Sequence, residues 1–368
     1  MKFLPLLLCL LTCSTLAAEG RYLFTNVQVF DGSTEALSAR DVLVAGSHIV
    51  SVGENMPRAE GTIVIDGGGR TLMPGLIDGH VHLNMTGAFH DIKDLENADW
   101  DLIGATAVAN ARDYLMDGYT TVRDTGGLSG VGLKTVIDNG VAPGPRIYAS
   151  SAVLSQTSGH GDFRLGFQRL PGAAMSNGER LNITQIVDGV DAMRAAVRRN
   201  LSFQASFIKL TTGGGVTSLL DPLYSSGFTH DEIAAAVEEA AHYGTYVTVH
   251  AYQDHDIRRS IEAGVKAIEH GHLIQEKTMK MLADRGVFLV LNLAGTSPTI
   301  RSHPHYAPHT TSGKKLTQVL DGMKDLKRLI TRYKPKVVHN VDTVLNTVDG
   351  CIVNGCWKKA FSPLIISL

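Results

Sequence analysis

Short apolar runs recur along the chain, and their spacing changes near residue 75. Before that point, runs at 21–30, 41–45, 48–52 and 62–65 are separated by glycine and polar residues at short intervals, the pattern of strands in a small β domain. From Leu76 onward, apolar runs fall at 76–83, 119–124, 145–151, 206–211, 245–251, 265–270, 287–293 and 336–342. Longer amphipathic stretches of helical period separate most of them. The stretch 231–242 shows this best, with Thr229 before it and Glu232 three residues on as a capping-box start. Eight strands alternating with helices predict an α/β fold, a parallel (β/α)8 TIM-like barrel whose functional side chains gather at the C-terminal ends of the strands.

Composition narrows the classes of function. The chain has 368 residues, 44% of them hydrophobic, enough for one large barrel with a small appended domain. A formal net charge of −2 supplies no basic field for nucleic acid or an anionic membrane surface. Residues 1–18 combine Lys2, a short apolar run and small residues up to Ala17 and Ala18, which predicts a secretory signal peptide and a periplasmic or secreted product. The run is too short to span a bilayer, so no membrane partner is expected after cleavage. Cys13 would suit a lipoprotein, but Thr12 before it is a poor residue for that cleavage. Cys9 and Cys13 leave with the signal. Cys351 and Cys356 remain, able to pair in an oxidising compartment.

The candidate chemistry sits at strand ends. His80 and His82 close the first barrel strand, and side chains two apart on a strand share a face, so both imidazoles aim into one space as a divalent-metal clamp. Lys209 lies among apolar neighbours on the fourth strand, where an ammonium needs a partner or an altered charge. His250 ends strand five, His270 and His272 end strand six, and Asp342 ends strand eight. If both belong to their strand, His270 and His272 share a face and differ only in depth. Arg123 and Asp124 end strand two as a structural ion pair, and His303, His305 and His309 read as solvated loop histidines.

At these positions the chain resembles the amidohydrolase superfamily, in the branch of imidazolonepropionase-like enzymes and metal-dependent Xaa-Pro and Xaa-Arg dipeptidases. The run 73–82, the segment 155–162 and the segment 209–216 are similar to that group, and the resemblance covers roughly residues 21–345. It implies two divalent metal ions held by His80, His82, a CO2-carboxylated Lys209, His250, His270 and Asp342. Zinc is the default for such a histidine-rich hydrolytic site, and manganese or cobalt also suits the ligands. Asp342 would be the general base that deprotonates an activated water and then protonates the leaving amine. His160 and Tyr252 are candidate substrate contacts. The implied reaction is amide hydrolysis in a small molecule or dipeptide, Xaa-Pro or Xaa-basic; a cyclic amide is the alternative substrate. Homo-oligomerisation is left open.

The implied organisation is a signal peptide at 1–18, a small β-sandwich half-domain at 19–73, a hydrolase barrel at 74–345 and an atypical tail at 346–368. Relatives approach the strand-eight aspartate through Gly, Ser or Thr, whereas Val338-His-Asn-Val-Asp342 stands here. Relatives also complete the small domain after the barrel. The tail suggests instead a shifted or truncated frame, a missing C-terminal half and, as a third alternative, an inactive remnant.

Overall fold

Alternating apolar positions carry residues 21–73 into five strands: β1 (Arg21–Val29), β2 (Ser38–Ala45), β3 (His48–Gly53), β4 (Thr62–Asp66) and β5 (Thr71–Met73). The computed structural model describes residues 20–34, 36–85, 88, 89, 94, 97–218, 220–292, 304–342 and 365–367. It divides into two units, one of residues 1–74 and 363–368, the other of residues 75–362. In the first unit β1 pairs antiparallel with β2, and β2 antiparallel with β3. Strands β4 and β5 both run parallel to β1. Phe24, Val27, Val42 and Leu72 form its core. Ile365–Ser367 pairs parallel with β5, a strand that the tail 346–368 was not expected to supply. The remaining tail residues up to 364, with Cys351 and Cys356, lie outside the described residues, as does the segment 1–18.

The second unit is an α/β fold with parallel sheets. Its strands are β6 (Leu76–Val81), β7 (Tyr119–Asp124), β8 (Arg146–Ala149), β9 (Val153–Ser155), β10 (Thr184–Ile186), β11 (Ile208–Thr211), β12 (Val247–Gln253), β13 (Ala267–Leu273), β14 (Phe288–Asn292) and β15 (Lys336–Asn340). One sheet has the order β10-β9-β11-β12-β13-β14-β15, the other β6-β7-β8, and every pairing in both is parallel. Single hydrogen bonds link the two sheets. Ser206 N donates to Ala149 O (2.7 Å) at the foot of β11, and Asp342 N donates to His80 O (3.1 Å) past the end of β15. The Asp78 carboxylate on β6 also accepts from Val341 N at 3.2 Å.

Helices follow most strands: α1 (Trp100–Met116), α2 (Leu128–Asp138), α3 (Val190–Ser202), α4 (His230–His242), α5 (Asp254–Glu262), α6 (Glu276–Asp284) and α7 (Thr311–Tyr333). The capping box expected at Thr229 is present. Its hydroxyl accepts from Glu232 N while the Glu232 carboxylate takes the Thr229 amide at 2.8 Å. Glu239 on α4 is buried but accepts from Arg194 and Arg198 of α3, so its charge is matched where the two helices meet. The main core runs between strands and helices through Leu154, Ile208, Val249, Ile268 and Leu289. Among the described residues no helix is long and apolar enough to cross a membrane.

Candidate metal centre

Strand β6 delivers His80 and the chain just beyond it delivers His82. Their Nε2 atoms stand 3.1 Å apart. Asp342, immediately past β15, brings Oδ1 to 3.3 Å from His80 Nε2 and 3.5 Å from His82 Nε2. One ligand atom from each of the three lies within 4.8 Å of the others. On β13, His270 Nδ1 stands 3.8 Å from Asp342 Oδ2. The His250 ring at the heart of β12 packs edge-on to His270, centroids 4.5 Å apart. On β11, Lys209 Nζ lies 3.4 Å from His80 Nε2. All six residues singled out as ligands in the sequence therefore lie in one cluster of the second unit.

The electrostatics of this cluster suit a cation. Burial holds His80, His250 and His270 well below the ordinary imidazole range and His82 at about 3, helped for His80 and His82 by the nearby Lys209 charge. All four rings are thus neutral near pH 7. His80 Nδ1 faces Glu269 Oε2 at 2.9 Å. With the proton there, Nε2 carries a lone pair. That lone pair faces His82 Nε2 and an Asp342 oxygen, and a divalent cation among them would satisfy all three, so the donor set fits a metal. Burial also brings Lys209 down to about 8, against the pull of Glu269 and Asp342, which raise it. Burial pushes Asp342 up to about 7, although Lys209 pulls it down.

Two acids in the site were not anticipated. Glu269 is fully buried and joins His80 to Arg123, whose Nη2 donates to Oε1 at 3.1 Å, while the Thr248 hydroxyl donates to the same oxygen. Asp78 accepts from His80 N at 3.0 Å and from Val341 N, tying β6 to the segment that bears Asp342. Strict alternation would turn Glu269 away from a site that holds His270. His270 (φ 74°) and Gly271 (φ 66°) instead adopt the left-handed backbone, which breaks the alternation. His270 and His272 still lie on one side, ring centroids 6.3 Å apart and planes 27° from parallel, with His272 Nε2 3.3 Å from Asn292 O.

Other expectations need correction. Arg123 pairs with Glu269, not Asp124. Asp124 instead accepts from Gly126 N at 3.2 Å. His305 is not a solvated loop residue; it is half-buried, with Nε2 3.0 Å from Ser312 Oγ and 3.3 Å from Thr217 O. His309 is exposed and His303 lies outside the described residues. His160 stacks on His250, centroids 4.0 Å apart and planes 17° from parallel. Tyr252 is buried and stacks on His270 at 4.7 Å. Both candidate substrate contacts therefore touch candidate ligands.

The family model for amidohydrolases matches residues 71–338. The chain belongs to the amidohydrolase family. The matched span holds five of the six candidate ligands, and Asp342 follows it. Ochratoxinase from Aspergillus niger is 31% identical over 229 residues, 60% of this chain and 47% of that enzyme, so the match spans about half the relative's length. Among solved structures, this amidohydrolase is similar to another amidohydrolase at 32% identity and TM-score 0.79, covering 89% of this chain and 79% of that one. A prolidase complexed with N-methylphosphonate-L-proline is 28% identical, with TM-score 0.82 over 93% of this chain and 83% of that one.

Proposed function

We propose that this amidohydrolase cleaves an amide bond in a small substrate, with two divalent ions, zinc by default, held by His80, His82, a carboxylated Lys209, His250, His270 and Asp342. The observation that carries the reading is the convergence of four neutral imidazoles, a buried lysine and a carboxylate on one point. The same reading takes β6, β7, β8 and β11 to β15 as the strands of a single (β/α)8 barrel, with the site at its C-terminal end. Dipeptides of the Xaa-Pro or Xaa-basic kind are the preferred substrates; the similarity to a prolidase solved with a proline-containing ligand supports the first. A periplasmic or secreted location accompanies the signal peptide read in residues 1–18.

The bound metals would polarise the scissile carbonyl and make water acidic enough to attack at neutral pH. The residues supply the rest. Asp342 accepts a proton from the attacking water and returns it to the leaving nitrogen. Burial holds the Tyr252 phenol well above its ordinary range, so it keeps its proton and donates a hydrogen bond to substrate. His160 is oriented by Ser218 Oγ (2.8 Å) and Asp221 Oδ2 (3.2 Å) on its Nδ1. The lowered Lys209 leaves a fraction of neutral amine near pH 7. That amine can attack CO2, forming a carbamate anion and releasing one proton.

The test is metal content per folded chain after reconstitution with zinc and bicarbonate, with Xaa-Pro hydrolysis followed in the same sample. Close to two metals per chain, with turnover lost in Asp342→Asn, is the expected result. A folded chain that takes up no metal would sink the reading; metal uptake with no Xaa-Pro turnover would sink only the substrate.

A further inference from the structure

Three backbone carbonyls in the loop after β11 converge on one point. The oxygens of Gly215, Ser218 and Asp221 lie 2.9, 2.6 and 2.6 Å from the Nζ of Lys315 on α7. Such a carbonyl nest is the coordination a monovalent cation takes, and here a lysine fills it from a distant segment of chain. Lys315 is 6% exposed, and an ammonium so buried needs its three protons accepted. The three carbonyls provide that without a carboxylate.

The nest is coupled to the candidate metal centre. Ordering it fixes Asp221, whose Oδ2 accepts from Gly215 N (2.6 Å) and contacts His160 Nδ1 (3.2 Å). His160 in turn lies flat against His250. The approach is tight: a β-carbon on Gly215 would come 2.0 Å from His160 Cε1, so only glycine admits the ring there. His305, just before α7, adds a second tie to the same loop through Thr217 O.

We propose that Lys315 is a positioning residue, a tethered monovalent cation that organises the loop after β11 and, through Asp221, holds His160 against His250. The link from His160 to catalysis rests on the hydrolase reading above; the clamp does not.

The test uses readouts that need no turnover, so either idea can fail alone. In the folded wild-type chain, reductive methylation should modify Lys315 at least about tenfold more slowly than exposed Lys280. Equal rates would overturn the clamp, and this arm needs no variant to fold. In Lys315→Met, hydrogen exchange at Gly215 N should accelerate by about tenfold or more while α4 keeps its protection. Carbethoxylation of His160 should rise with it. Unchanged exchange at Gly215 overturns the clamp; faster exchange with unchanged His160 reactivity overturns the relay. In Lys315→Ala, methylammonium should restore protection at Gly215 where tetramethylammonium, which has no N–H, does not. Equal effects of the two ions would overturn the clamp, since N–H donation to the three carbonyls would then not be what orders the loop.

Discussion

Glu269 shows how much of the site lies behind its ligands. It holds His80 by Nδ1 and is itself held by Arg123 and Thr248, which would orient the imidazole for the proposed metal. Glu269→Gln should therefore weaken metal binding by about 10–100-fold, read by competition with a chelator, with the far-ultraviolet dichroism unchanged. Wild-type affinity in that variant would reduce Glu269 to a packing role. Asp124 makes a second prediction. Burial pushes its carboxyl up to about 8 from an ordinary 3.8, so between those values the folded chain keeps a proton that the unfolded chain releases. Its contribution to stability is full at low pH and declines as pH rises toward 8, by at most about 1.4 kcal/mol per pH unit. Asp124→Asn cannot ionise, so it should gain stability relative to wild type between about pH 5 and about pH 8. Thermal melts at the two pH values check it; a constant difference would remove the buried proton from the account. At this scale the candidate cluster was legible, because histidine, lysine and aspartate at strand ends are chemically conspicuous. The sequence did not reveal Glu269 or Lys315. An acid beside a ligand and a lysine in an amphipathic helix look like ordinary polar positions until their partners from other segments are known.

Strands were legible because the β11-to-β14 runs are short and buried on both faces, with apolar residues broken mainly by the polar residues of the site. The helix α4 was legible from its cap, and Thr229→Ala should cost about 1 kcal/mol of stability, measurable by denaturant unfolding. What periodicity could not show is where an element departs from its own period. The left-handed turn at His270 and Gly271 is such a place, and there the consecutive residues Glu269 and His270 both reach the site. Register is another. Gly79 on β6 passes so close to its neighbours that an added β-carbon would lie 2.6 Å from Val338 Cγ1 and 3.0 Å from Val290 Cγ1. Gly79→Ala should destabilise the chain by about 1–3 kcal/mol and lower metal occupancy, since it displaces the strand that carries His80. Calorimetry with metal analysis on one preparation tests both. A variant with full occupancy would show that β6 can shift without disturbing its histidines.

For the molecule as a whole, the pattern of runs correctly foretold a β unit followed by a longer series of parallel strands and helices. It said nothing of how distant pieces close on one another, because hydrophobic period carries no information about which strand lies beside which. The hydrogen bond from Val341 N to Asp78 spans 263 positions of sequence, and with the bond from Asp342 N to His80 O it ties β6 to the end of β15, the first and last strands of the second unit among the described residues. During synthesis, then, a growing chain would display His80, His82, Lys209, His250 and His270 long before Asp342 leaves the ribosome. On the proposed hydrolase reading, the histidines would for that interval be a ligand set still lacking its carboxylate. Formation of β15, which ends just before Asp342, would then be the step that completes the proposed metal site.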